Sequence, residues 1–141
     1  MHDNHSPSSS SALQPQLRSV SVAGAVNPVA PSRVLPHHKL VAWSVATSLL
    51  AAVLACRIRD AKLRDEAVRS AKSACLNIAE GAGRVTRGDQ ARSFAIARAE
   101  TVEAAAAVEI AALCGDAPEG AAAEVARVAD RLVALLTGLV R

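Results

Sequence analysis

The sequence predicts an all-α protein, an antiparallel up-down-up-down four-helix bundle behind a disordered N-terminal tail. Three observations carry this. The apolar fraction is 51%, yet there is one Trp (Trp43), one Phe (Phe94) and no Tyr, so Ala, Val and Leu must fill the core. Ala is the strongest helix former, while the strand formers Tyr, Phe and Thr are scarce. From residue 40 onward, apolar residues recur at helical spacing in segments joined by short links, which excludes the long crossovers of cytokine-type bundles.

Residues 1–36 hold many Ser and five of the six prolines, with no sustained periodicity. This composition predicts a disordered tail and leaves residues 37–141 as the bundle domain. The first helix is expected from near His38 to about Arg57. Fourteen of the seventeen residues from Leu40 to Cys56 are apolar, and the exceptions, Ser44, Thr47 and Ser48, cluster on one stripe. A helix apolar nearly all round must be buried on several sides. The run lies near the lower limit of about 17–25 residues for a membrane span, and its many Ala residues drive insertion weakly, so a bundle packed on other subunits is the preferred reading.

The second helix is expected over roughly Asp60 to Ala79, with Leu63, Ala67, Ala71, Ala74 and Ile78 as its apolar stripe and Lys62, Arg64, Arg69 and Lys72 opposite. Gly81, Ala82 and Gly83 should end it, since glycine relieves a left-handed C-terminus. Thr86 with Asp89 three residues on reads as a variant capping box for the third helix, which Gly115 closes near Cys114. Asp116 and Pro118 make the next turn. The fourth helix runs from Pro118 or Glu119 to the end, on Val125, Val128, Leu132, Leu135, Leu136 and Leu139.

Catalytic and cofactor chemistry find few supports. No His follows residue 38, so neither a Ser-His-Asp triad, nor a Cys-His pair, nor the Glu-x-x-His sites of di-iron bundles can be built. His2, His5, His37 and His38 lack Cys or carboxylate partners at metal-ligand spacing. Gly81-Ala82-Gly83-Arg84 lacks the spacing and the Lys-Ser/Thr ending of a phosphate-binding loop. The sequence thus reads as a non-enzyme with no cofactor, no metal and no small-molecule substrate. Cys56, Cys75 and Cys114 are odd in number and sit in apolar helical contexts, as small buried hydrophobes do. With no signal peptide at the N-terminus, the expected compartment is the reducing cytoplasm.

Charge is uneven. Residues 57–98 carry ten Lys/Arg against five Asp/Glu, and residues 99–141 carry three against seven. Such asymmetry serves either an external partner or two helix faces that attract one another. The best candidate binding surface is Arg57, Arg59, Lys62, Arg64, Arg69, Lys72, Arg84 and Arg87. Phosphate contacts need only positive charge at suitable spacing. Aromatic residues for base stacking are missing, and Asp60, Asp65 and Glu66 interrupt the run.

Asn77-Ile78-Ala79-Glu80-Gly81, followed by Gly83-Arg84, resembles the NIAEG-x-GR signature of the four helix bundle protein family, also called the 23S rRNA intervening-sequence protein family. The resemblance continues through Thr86, Asp89, Arg92, Ile96, Ala97, Glu103 and Gly115. Leu40-x-x-Trp43-x-x-Ala46 resembles the family's opening segment, and Leu135 to Arg141 its closing one. It also motivates a break at residues 57–61, where no Gly or Pro separates the first two helices. Three features depart from the pattern. Cys75 stands for a Pro, Gln90 for an aromatic or Leu, and the first connection is shorter and lacks its Phe-Pro. The resemblance implies a cytosolic homopentamer. It also implies kinship with the accessory variability protein of diversity-generating retroelements, which binds nucleic acid and a reverse transcriptase through basic surfaces. Partners of this chain would then be further copies of itself and RNA, DNA or a reverse transcriptase. The alternative is a protein scaffold with no nucleic-acid affinity. Among the signature's polar members, Asn77 and Glu80 are expected to tie down the turn between helices two and three, and Glu103 to pair with Arg84 or another Arg.

Overall fold

The computed structural model describes residues 34–141. The expected tail, apart from its last three residues, lies outside them, as do His2 and His5. A 3₁₀ turn at Pro36–Lys39 leads into four helices: α1 Val41–Ala55, α2 Ala61–Gly83, α3 Arg87–Leu113 and α4 Glu119–Val140. The first helix therefore starts three residues later than the expected start near His38. Pro36 at the start of the 3₁₀ turn and an extended Leu40 account for the delay.

The break between α1 and α2 has a local cause. Arg57 takes a left-handed conformation at φ 48°. Asp60 then caps α2, its Oδ1 accepting the Leu63 N–H at 2.8 Å. Thr86 caps α3, its Oγ1 accepting the Asp89 N–H at 3.2 Å. Gly115, at φ 78°, closes α3. The Asp116 N–H reaches back to the Ala111 carbonyl at 2.7 Å, satisfying an orphan acceptor of the last turn.

Helix α3 packs on α2 and α4, and α1 packs on the same two, so the helices form a closed ring. At one end of the ring the two loops meet, with the Arg59 N–H donating to the Asp116 carbonyl at 3.0 Å. At the other end Arg87 Nη2 donates to the Arg141 carbonyl at 3.0 Å. Successive helices must run in opposite directions for both contacts to form. Leu49, Ile78, Val108, Val125, Leu132 and Leu136 are fully buried. Each stabilises the fold by about 1.5–3 kcal/mol relative to exposure. Alanines fill the layers between them, among them Ala46, Ala67, Ala71, Ala74, Ala97, Ala104 and Ala111.

Two expectations are corrected here. Helix α2 is not ended by a left-handed glycine: it continues through Gly83 and stops at Arg84, which is extended at φ −72°. Gly81 is instead buried inside the helix against Phe94. Of the three cysteines, Cys56 and Cys75 are buried, and burial pushes both thiols above their ordinary range. Cys114 is exposed, because it caps the end of α3 beside Gly115. Among the described residues, no helix is long and apolar enough to cross a membrane. The 15 residues of α1 extend about 22 Å, short of a hydrocarbon core of about 30 Å.

Candidate functional site

The signature residues sit where α2 ends and α3 begins. Ile78 is wholly buried in the core, Ala79 is half-buried and Gly83 is exposed. Gly81 lets Phe94 approach so closely that a Cβ there would stand 2.7 Å from the ring. Glu80 and Arg84 form an ion pair one turn apart, and Glu80 holds the guanidinium pKa above its ordinary value. The Arg84 carbonyl accepts from Gln90 Nε2 at 2.8 Å. Gln90 thus ties the turn by a hydrogen bond in place of the expected aromatic or leucine. Asn77 does not tie the turn: its Nδ2 donates to Ser73, at 2.9 Å to the carbonyl and 3.2 Å to the hydroxyl. The reason is helical spacing, which sets Ser73 one turn below Asn77 on the same face. Glu80, Arg84, Asp89, Arg92, Ser93 and Ile96 line a cleft of about 360 Å³ between the two helices.

Glu103 belongs to a different cluster. Its partner is Arg69, at 2.8 Å, not Arg84. Arg69 also bonds Glu66 at 2.5 Å and lies 3.7 Å from Glu100. One guanidinium on α2 therefore gathers three carboxylates, two of them from α3. The hydrogen bond from Arg69 holds the Glu66 carboxyl below its ordinary value of 4.5. The contact with Glu66, and then desolvation, push Glu103 above it. Glu100 Oε2 is buried with no hydrogen-bond partner. Arg69 and Glu80 are eleven residues apart on α2, about 16 Å, so Glu80 and Glu103 do not form a carboxylate pair.

The basic residues divide between the two ends of the ring. Arg57, Arg59, Lys62 and Arg64 gather at the α1–α2 loop, and Arg84 and Arg87 lie at the opposite end. Lys62 and Arg84 are separated by 22 helical positions, about 33 Å. Arg69 and Lys72 lie between, on the outer face of α2, where Arg69 is engaged with carboxylates. At the α1–α2 end, Arg59 bonds the Gly115 carbonyl and stands 3.7 Å from Asp116. Arg64 Nη1 donates to the Ile58 carbonyl at 3.3 Å. Arg57, Lys62 and Lys72 are exposed and pair with no carboxylate among the described residues. Arg57 and Arg59, with Asp116 and Pro118, line a cleft of about 420 Å³. Arg92, outside the sequence-based set, lines the signature cleft beside Arg84. Its signal was present, because the positive balance of residues 57–98 includes it.

Among the described residues, no group of three or more His, Cys, Asp or Glu could hold a metal ion. Arg69 joins α2 to α3 through Glu100 and Glu103, and Arg98 joins α3 to α4 through Thr137, around the apolar core of a small all-α bundle. Residues 38–138 match the 23S rRNA-intervening sequence protein family. The chain belongs to that family. Comparison with curated proteins returned no match.

Proposed function

We propose that this protein is a non-enzymatic four-helix bundle that associates with copies of itself. In the assembled form it presents the basic α1–α2 end to nucleic acid or to an enzyme that acts on nucleic acid, such as a reverse transcriptase. The observation that carries the self-association reading is the outer surface. Leu54, Val102, Ile110 and Leu113 are exposed large apolar side chains, Leu113 at 88%. Rows of such residues mark surfaces that a partner covers. Sedimentation velocity on the full chain tests it: an assembly of several copies supports the reading, and a monomer at micromolar concentration overturns it. The exposed, unpaired Cys114 is in keeping with a reducing cytoplasm.

The nucleic-acid reading is supported by Arg57 and Lys62, which pair with no carboxylate among the described residues, together with Arg59 and Arg64 beside them and Lys72 further along α2. Repetition of such an end in an oligomer multiplies a weak patch by avidity. Binding to single- and double-stranded RNA and DNA should weaken steeply between about 50 mM and about 200 mM salt. Undetectable or salt-insensitive binding at about 50 mM salt would leave the second reading, a protein scaffold without nucleic-acid affinity. That reading draws its own support from Arg69 and Arg84, whose charges carboxylates already engage.

A further inference from the structure

We infer that Trp43, His37 and His38 form a stacking platform for a base of single-stranded nucleic acid, with Lys39 and Lys72 taking the neighbouring phosphates. This rests on the nucleic-acid reading above and adds to it a base contact on the α1–α2 flank, away from the loop that joins the two helices. The chain has one Trp, and the fold gathers two imidazoles beside it. The His37 ring stands 4.2 Å from the His38 ring and 4.4 Å from the Trp43 ring, edge to face with both. The rings of His38 and Trp43 lie 6.3 Å apart. His38 is exposed, and His37 and Trp43 are half-buried, so the cluster opens to solvent. Neither imidazole is engaged in a hydrogen bond or an ion pair among the described residues. Ring N–H groups in that state can donate to a base edge or to a phosphate oxygen.

Helical geometry brings Lys72 to the same place. On α1, Ala42, Ala46, Leu49 and Val53 are the buried stripe. Val41, on one flank of it, lines a cleft with Leu135 and Leu139 of α4. Trp43 lies on the other flank, toward α2, and the 3₁₀ turn that carries both imidazoles packs on α2 as well. On α2, the carboxyl of Glu66 meets Glu103 of α3. Lys72 is six positions further on, about 240° round the helix, which sets it on the flank toward α1. The two residues are also level. Trp43 is thirteen positions before Cys56 and Lys72 twelve after Asp60, so both stand about 18–20 Å from the break between the helices.

The charge around the rings suits an anionic polymer. Lys39 and Lys72 are exposed. The 3₁₀ turn and α1 contain no carboxylate, and neither does α4 from Leu135 to Arg141. From Lys72 to the end of α2 the one carboxylate is Glu80, which Arg84 engages. Asp65, seven positions before Lys72, lies beside Arg64. Two lysines free of ion pairs among the described residues therefore flank an aromatic surface. The scarcity of aromatic residues in the sequence argues against base stacking; the fold offsets that scarcity by bringing three rings together. Aromatic faces, histidine's included, take the unstacked bases of a single strand, and they tolerate any sequence because every base has a π-face. In a duplex the bases stack on one another and are withheld from such a platform.

Because Trp43 is the only Trp, the emission of the full chain reports on the platform directly. Oligothymidine should quench that emission on binding at about 50 mM salt, and an abasic strand of the same length should bind without quenching. Fluorescence anisotropy of labelled strands then measures affinity. Trp43→Leu should weaken binding of oligothymidine about tenfold and leave the abasic strand unchanged, while Trp43→Phe should retain most of the affinity. Circular dichroism confirms that each variant folds. His38→Ala, at an exposed position outside the helices, should weaken oligothymidine binding in the same direction and carries the test should Trp43→Leu fail to fold. Two outcomes overturn the inference while leaving the nucleic-acid reading in place: oligothymidine that binds with the Trp emission unchanged, or folded variants that bind oligothymidine as the wild type does. A wild-type chain that binds neither strand overturns that reading and this inference together.

Discussion

Phe94 Cε1 lies 2.7 Å from the point a Cβ on Gly81 would occupy. The only phenylalanine of the chain is 4% exposed and fixed in this place by a residue with no side chain. Gly81 thus sets the spacing of α2 and α3 rather than the end of α2. Gly81→Ala should destabilise the fold by about 1–3 kcal/mol, because a ring in a packed core cannot retreat without strain. Gly83 has nothing within 4 Å of its own Cβ position. Gly83→Ala should be neutral or should stabilise by up to about 1 kcal/mol, since glycine in a helix sacrifices backbone entropy. Thermal denaturation of the two variants side by side checks both signs. Equal effects would show that the ring contact is not what the glycine serves.

The start of α2 depends on Asp60. Its carboxylate satisfies an otherwise orphan N–H of the first turn at 2.8 Å. Asp60→Ala should lower stability by about 1 kcal/mol. In a domain of this size that amounts to roughly 4–8 °C in Tm. Asp60→Asn, which keeps an acceptor oxygen, should recover most of the loss. Failure of Asn to recover it would assign the effect to charge at the helix terminus rather than to the cap bond.

These two residues illustrate how far the sequence could be read. The four helices and their stripes were legible because burial imposes a period, and Ala67, Ala71, Ala74, Ile78, Leu132 and Leu136 keep to it. The turn at Gly115 was legible because a left-handed residue after a helix has few candidates. The close approach at Gly81 was not, since it depends on where Phe94 arrives from another helix, and local spacing holds no such information. For the same reason local spacing does not choose between Arg84 and another arginine as the partner of Glu103. Arg69, Glu66, Glu100 and Glu103 come together only through the pairing of α2 with α3. The basic set falls within one stretch of sequence, yet a helix of 23 residues carries its two ends to opposite ends of the bundle.

The Arg69 cluster gives stability a dependence on pH with opposite contributions from two carboxyls. Glu103 is raised above 4.5 by its contact with Glu66. The folded state therefore holds that proton more tightly than the unfolded chain. Ionising Glu103 weakens the fold, by an amount absent below about pH 4.5 and complete above the raised folded value. Glu103→Gln mimics the protonated form, so the Tm of the variant minus that of the wild type should be more positive at about pH 7 than at about pH 4. Glu66 is lowered by its hydrogen bond from Arg69. Its stabilisation is present above pH 4.5 and fades as pH falls through the depressed value. Glu66→Gln should therefore show the reverse trend, its deficit largest near neutral pH. Parallel trends in the two variants would contradict this account of the cluster.

Arg57 separates folding from binding, because its backbone and its side chain have opposed demands. At φ 48° it occupies a conformation that costs a residue with a Cβ roughly 1–2 kcal/mol and costs glycine almost nothing. Its guanidinium is exposed beside Arg59 at the basic end of the bundle. On the proposed nucleic-acid reading, Arg57→Gly should raise Tm while weakening nucleic-acid affinity and reducing the slope of log K against log salt by about 1. Arg57→Ala removes the charge and keeps the strained backbone, so it should match glycine in binding and fall below it in Tm. Binding that follows stability instead, weaker in the alanine variant than in the glycine variant, would mean that the residue acts through the loop and not through its charge. Unchanged binding in both would place the nucleic-acid contact elsewhere than at this end.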